Sequence, residues 1–277
     1  MSNIPARVQK RFSENIRRFI KILTEAKSRD INESDTVKIV IDVLSDIFGY
    51  DKYIDITSEF QIRGTFCDVA IKAGDDVRYL IECKAIGSEL KENHLRQAVE
   101  YASKSGIEWT ILSNGIVWQV YKVVFAKPID QRLLFSIDFL NEDPKDKKFA
   151  EKLYLLCKEA ITKSAIESYA KERRAINKHT IAAILYSDEV VATVRRRLRS
   201  LFKDVSIDKV LVREVIRNEI IKRELVDSEQ ADQVRKMLRK GLTRQARKTR
   251  KAQSKDTGAA TGPESADASE DASKSGQ

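Results

Sequence analysis

Over the first fifty residues the apolar positions fall at helical spacing. Val8, Phe12, Ile16, Phe19 and Leu23 recur three or four apart, which predicts one amphipathic helix over residues 6–28. Val37, Val40, Ile41, Leu44, Ile47 and Phe48 repeat the pattern. They predict a second helix from Glu33 to Phe48, with Asn32 as its N-cap and Gly49 as its stop. The period then changes. Strand-like runs occupy 58–63, 66–71 and 79–85, separated by Gly64 and by Lys72-Ala73-Gly74-Asp75-Asp76. Helical spacing returns over 90–104 through Leu90, Leu95, Ala98 and Ala102. Two further strands, 109–113 and 116–123, meet through Asn114-Gly115, a strong hairpin signal. The order α, β, β, β, α, β, β predicts an α/β (or α+β) core with a mixed sheet and helices packed on it. From Lys145 the pattern is helical to about Lys251, in segments 146–173, 178–186, 188–202, 206–224 and 227–251, with Asn141 and Pro144 marking the boundary before them.

These elements divide the chain into an N-terminal amphipathic helix over 1–30, a sheet-containing domain over 31–140 and a helical region over 141–234. Charge adds two more segments. Residues 235–255 hold ten Lys or Arg and no acid, among them Arg235, Lys236, Arg239, Lys240, Arg244, Arg247, Lys248, Arg250 and Lys251. Residues 256–277 hold five acids against one lysine, with almost nothing to bury, and read as a disordered tail. The net charge of +9 is therefore a local device rather than a property of the globular part. A dense basic segment attracts polyanions, nucleic acid first; a solvated helix end is the plainer alternative.

Composition narrows the function. No apolar run approaches the roughly 20 residues needed to span a bilayer, so no membrane partner is expected. Cys67, Cys83 and Cys157 form no CxxC pair and have only His94 and His179 beside them, which argues against a zinc site and against a disulfide scaffold. The expected setting is reducing and cytoplasmic. Glu14, Glu25 and Asp30 make the first helix a docking helix rather than a transit peptide.

Candidate chemistry lies in the strands. Asp68 falls in Phe66-Cys67-Asp68-Val69-Ala70-Ile71, and Glu82 and Lys84 fall in Tyr79-Leu80-Ile81-Glu82-Cys83-Lys84-Ala85. Strand side chains alternate, so Glu82 and Lys84 share a face and Cys83 points to the other. Charged groups in apolar strands are costly unless they meet one another or a metal. Two carboxylates suit a hard divalent cation such as Mg²⁺, with Mn²⁺ as a substitute. A nearby lysine can orient or deprotonate a water, or neutralise charge developing on a phosphate. The alternative is an exposed edge-strand ion pair with an unrelated solvated acid.

With these residues in view, the chain resembles the PD-(D/E)XK nuclease superfamily. More narrowly, 32–123 resembles the N-terminal nuclease domain of type I restriction enzyme R subunits (HsdR) and their stand-alone relatives. The resemblance implies a restriction-endonuclease-like αβββαβ core. It implies that Asp68 and Glu82 are metal carboxylates, that the Cys83 backbone carbonyl is a further metal ligand and that Lys84 completes the catalytic group. Glu33, on the first helix, matches a glutamate facing the site; it lies one turn before Val37 and is expected on the buried side. Gln97 and Tyr101, four apart on one helix face, match a QxxxY motif that holds the DNA backbone or orders the site. His94 shares that face and reads as a bystander. Cys67 stands where the family has a proline. Ser113-Asn114-Gly115-Ile116-Val117-Trp118 resembles the family's strand-turn-strand ending, and 176–226 only loosely resembles the region that follows this domain in predicted stand-alone restriction endonucleases.

The expectation is a Mg²⁺-dependent DNA endonuclease of restriction or defence type. The chain contains no GxxxxGK[ST] loop, so no ATPase motor of its own is expected, and a motor or specificity subunit or a second copy is an expected partner beside DNA. Nothing reads as a base-recognition module. The competing expectation is a non-catalytic nucleic-acid-binding or assembly subunit on a nuclease-derived fold.

Overall fold

A computed structural model describes residues 4–62, 65–227, 231–232 and 234–237. Contacts divide the chain into two compact units, Met1–Arg174 and Ala175–Gln277.

The first unit is built on a six-stranded sheet. Its elements are α1 (Ala6–Ser28), α2 (Glu33–Asp46), β1 (Ile56–Ile62), β2 (Thr65–Ala73), β3 (Asp76–Cys83), α3 (Glu92–Ser105), β4 (Trp109–Ser113), β5 (Val117–Val124), β6 (Asp130–Asp138), α4 (Lys147–Leu155), α5 (Lys158–Ile161) and α6 (Ala165–Ala175). The strands lie in sequence order across the sheet. All neighbours are antiparallel except β3 and β4, which are parallel and joined by α3. The sheet is thus mixed, with the expected αβββαβ order at its centre.

The two sheet faces bury different layers. One packs Val69, Ile71, Ile81, Ile111, Trp118, Val120 and Ile137 against the apolar stripes of α1, α2 and α4. Phe48 meets Trp118 edge-on at 5.3 Å, and Phe139 meets Phe149 at 5.8 Å. The other packs Ala70, Leu80, Leu112, Tyr121 and Val123 under Leu95, Ala98 and Ala102 of α3. Asn32 caps α2 as expected, its side chain accepting the Asp35 N–H at 2.9 Å. The Asn114-Gly115 turn joins antiparallel β4 and β5; Asn114 Oδ1 accepts the Val117 N–H at 2.8 Å while its Nδ2 donates to the Ser88 carbonyl at 2.9 Å.

Two features depart from the sequence reading. The strand β6 was not expected: Asp130-Gln131-Arg132 opens it, and of its apolar residues Phe135 and Ile137 are buried while Leu133 is exposed. The expected helix 146–173 is three helices. The Tyr50 hydroxyl donates to the Leu156 carbonyl at 2.7 Å, and the Lys158 N–H donates to the Phe48 carbonyl at 3.0 Å. Those tertiary bonds take backbone groups that a continuous helix would use. A second break follows at Ser164, whose φ is 47°. Residues 147–174, placed by sequence in the helical region, pack with the first unit.

The N-terminal helix is tied down by Arg11. Its Nε donates to the Ile47 carbonyl at 2.8 Å, at the C-terminus of α2, and both terminal nitrogens hold Glu159 at 2.9 Å. Burial by itself would raise the Glu159 carboxyl, but the Arg11 bonds prevail and hold it below its ordinary range. That contribution is complete above the ordinary carboxylate range and is lost as pH falls through the depressed value.

The second unit holds α7 (Lys178–Leu185), α8 (Asp188–Leu201), α9 (Lys209–Val215), a π-helical turn over Ile216–Ile220 and α10 (Arg223–Val226). Its core is small: Ala182, Val191, Val212, Ile216 and Ile221. Most of the expected basic segment 235–255 and all of the tail 256–277 lie outside the described residues.

Replacing Arg11 by Ala removes both short bonds to the largely buried Glu159 carboxylate and leaves it the longer Arg7 contact at 3.4 Å. It should lower unfolding stability at pH 7 by about 2–4 kcal/mol, read by urea denaturation, with a smaller loss near pH 4. A variant as stable as wild type would contradict this role.

Candidate active site

The site forms where two apolar strands part. The ladder between β2 and β3 pairs Ile71 with Tyr79, Ala70 with Leu80 and Val69 with Ile81, and among the described residues it goes no further in that direction. One residue beyond Val69, the Asp68 carboxylate takes the place of a strand partner: its Oδ2 accepts the Cys83 N–H at 2.7 Å. β3 meanwhile stays with β4, pairing Glu82 with Leu112 and Cys83 with Ser113, and the Lys84 N–H continues to the Ser113 carbonyl at 2.8 Å. The alternation that puts Leu80 under α3 puts Glu82 on the same face.

Lys84 gathers the oxygens. Its Nζ donates to the Cys83 carbonyl at 2.7 Å and to Glu82 Oε1 at 2.9 Å, and it reaches Glu33 Oε2 at 3.4 Å. An ammonium has three N–H donors, and these three oxygens match them. Burial works against its charge, but Glu82, Glu33 and Asp68 outweigh burial and raise its pKa. Lys84 is therefore a cation here, suited to neutralising charge rather than to accepting a proton.

Glu82 is 3% exposed and its Oε2 is buried without a hydrogen-bond partner. Burial raises its carboxyl, Lys84 pulls it down, and Asp68 and Glu33 push it up again, with the net result at about 6. Asp68, half-buried, is also raised by burial, against the Cys83 N–H and Lys84. Glu33 stands at the first position of α2 with its side chain about half exposed, so it reaches the site from the solvent edge rather than from the buried side.

The donor set is hard: carboxylate oxygens of Asp68 and Glu82 and the carbonyl oxygen of Cys83. The thiols do not compete, since burial raises Cys67 and Cys157 to about 12 and Cys83 well above its ordinary value. Among the described residues, no group of three or more His, Cys, Asp or Glu converges as a metal cage. A cation at this site would rest on two carboxylates, a carbonyl and water, which is the habit of Mg²⁺. The orphaned Glu82 Oε2 and the excess of carboxylates over the single ammonium fit such an ion.

Gln97 and Tyr101 do share a face of α3. Gln97 Nε2 donates to the Tyr101 hydroxyl at 2.5 Å, with Gln97 exposed and Tyr101 buried. No hydrogen bond joins this pair to Asp68, Glu82 or Lys84 among the described residues. His94 plays a structural part, its Nδ1 accepting the Lys91 N–H at 3.4 Å at the start of α3. One neighbour was not singled out by sequence. Glu59, an exposed residue of β1 with φ 49°, adds negative potential at Asp68. Its only signal was an acid inside a strand-like run.

Of the basic segment, Arg235 pairs with Asp232 at 2.7 Å and Lys236 is exposed. Arg239, Lys240, Arg244, Arg247, Lys248, Arg250 and Lys251 lie outside the described residues.

Residues 20–132 match the family model of the type I restriction enzyme R protein N terminus. The first unit carries an HsdR N-terminal-like domain. The match runs from within α1 into β6 and includes Glu33, Asp68, Glu82, Lys84, Gln97 and Tyr101. It ties this HsdR-like domain to restriction enzymes. No curated protein and no solved structure matched the chain. No helix among the described residues is long and apolar enough to cross a membrane.

Ionised Glu82 opposes folding of the HsdR-like domain. Its folded value, about 6, lies above the ordinary 4.5, so stability falls as pH rises between them. Replacing Glu82 by Gln should then stabilise the protein at pH 7 by about 1–2 kcal/mol and give no gain at pH 4. Urea denaturation at both values checks this, and a less stable variant at pH 7 would contradict it.

Proposed function

We propose that the HsdR-like domain is a metal-dependent endodeoxyribonuclease of the PD-(D/E)XK type, with a restriction or defence role in the cytoplasm. The observation that carries this reading is the buried, unpartnered Oε2 of Glu82, inside a set of oxygen donors that one lysine does not satisfy. A carboxylate held in that state without a function would be selected against on stability alone.

Asp68, Glu82 and the Cys83 carbonyl would hold Mg²⁺ or Mn²⁺. Such an ion stabilises charge on the phosphate and makes a water more acidic. The rest is done by the chain. Asp68 accepts the Cys83 N–H while the Lys84 N–H goes to Ser113, so the Cys83 carbonyl, between them, is turned to the same strand edge as Asp68. Lys84 presents a cation to the developing phosphorane charge. Glu33, exposed and hydrogen-bonded to Lys84, orients the ammonium or a water at the mouth of the site. Gln97 and Tyr101, preset by their mutual bond, would steady the strand. Basic residues of 235–255 would add affinity for phosphates without sequence preference. DNA is the substrate in this reading. A motor or specificity subunit, or a second copy that cuts the opposite strand, is the natural partner.

One observation favours the second reading, a non-catalytic nucleic-acid-binding or assembly subunit. Lys84 donates to the Cys83 carbonyl at 2.7 Å, which the family resemblance assigns to a metal. A lysine that closes the site permanently would silence it.

Cleavage of supercoiled plasmid separates the two. With Mg²⁺ or Mn²⁺ the wild type should nick or linearise DNA, and Asp68→Ala and Lys84→Ala should each lose at least about a hundredfold in rate. EDTA should abolish cutting. An inert wild type, or cutting shared by all three proteins, would reject the assigned chemistry.

A further inference from the structure

Helix α8 of the second unit carries an unusual charge distribution. Its acids, Asp188 and Glu189, stand in the first turn, where they favour the helix dipole. From Val190 to Lys203 there are five cations, Arg195, Arg196, Arg197, Arg199 and Lys203, and no acid. The inward stripe is apolar: Val191 is fully buried, and Val194 and Leu198 pack beside it. Arg196, Arg197 and Arg199 are exposed on the outer side of the helix, and Lys203, in the turn just beyond its end, is exposed as well.

The surrounding cations are already engaged. Arg195 donates to the Ile207 carbonyl at 2.8 Å, Lys209 and Arg213 hold Asp188, and Arg217 pairs with Asp227 at 3.2 Å. Among the described residues, Arg196, Arg197, Arg199 and Lys203 take part in no side-chain hydrogen bond or ion pair. Neighbouring like charges on one helix face destabilise that helix. Elsewhere in the unit Lys178, Lys222, Arg223 and Lys236 also take part in no such bond among the described residues; α8 differs in setting three exposed arginines within four residues.

We propose that this outer face of α8 is a contact surface for the phosphate backbone of duplex DNA, separate from the acidic site. Arginine suits this role because its planar fork matches two phosphate oxygens at once. The three arginines lie within about one helical turn, with Lys203 just past the helix end, beside a backbone charged every few ångströms. The choice of DNA rests on the nuclease reading of the HsdR-like domain, but the phosphate contact does not depend on catalysis.

The test is the salt dependence of binding by the full chain, in EDTA so that no cutting occurs. Fluorescence anisotropy with a duplex of about 30 base pairs between 50 and 200 mM salt gives the slope. The triple variant Arg196→Gln, Arg197→Gln, Arg199→Gln should lose about 0.9 of slope per contact removed, so up to about 2.7. It should bind at least about tenfold more weakly at the low-salt end. The corresponding triple Lys variant should keep the slope, and circular dichroism should show both variants folded like wild type. An unchanged slope in the folded Gln variant would overturn the inference, whatever the cleavage assay shows. So would a slope lost equally in the Lys variant. An uncut plasmid alongside an α8-dependent slope would sink the nuclease reading and leave this contact standing.

Discussion

The site depends on one constraint: a carboxylate in the middle of an apolar strand must find positive charge within reach. Glu82 lies beside Leu80 on a face sealed by α3, and water cannot solvate it. Lys84, two residues on and hence on the same face, supplies the charge at 2.9 Å. One ammonium cannot answer three carboxylates, and Glu82 Oε2 remains unmet. The strain is electrostatic, and it is local to the place where chemistry would occur.

The scaffold serves to hold this arrangement open. β3 is clamped to β4 by a parallel ladder and kept from closing on β2 by the Asp68 carboxylate, which occupies the Cys83 N–H. The crossover helix α3 covers one face, and the Asn114 side chain ties the β4–β5 turn to the loop after β3. On the other face α1, α2 and α4 supply the bulk of the core. The match to the R protein N terminus runs from within α1 to the start of β6 and stops before α4.

Much of this was legible in the sequence because it rests on periodicity. The helices over 6–28 and from Glu33, and five strands, follow from spacing alone, and strand alternation placed Glu82 and Lys84 together. What escaped rests on pairing and backbone bonds that periodicity does not report, some of them between segments distant in sequence. The breaks after Leu155 follow from Tyr50 and Phe48, a hundred or more residues away by chain order. The edge strand β6 pairs along β5 in spite of its polar start. Backbone groups carry no sequence signal, so neither the Asp68 bond to the Cys83 N–H nor the Lys84 bond to the Cys83 carbonyl could be read. Glu33 illustrates a subtler limit: the helical stripe put it towards the core, whereas its first-turn position leaves it at the solvent edge, where it still reaches Lys84.

In the proposed reading, Asp68 and Glu82 form a divalent-cation site that Lys84 shares rather than blocks. The most direct measurement is Mn²⁺ binding by the whole protein, followed by electron paramagnetic resonance of the free ion. One site per chain is expected, lost in Asp68→Asn and in Glu82→Gln while both variants remain folded. Binding that persists unchanged in both variants, or no binding by the wild type, would contradict the cation site.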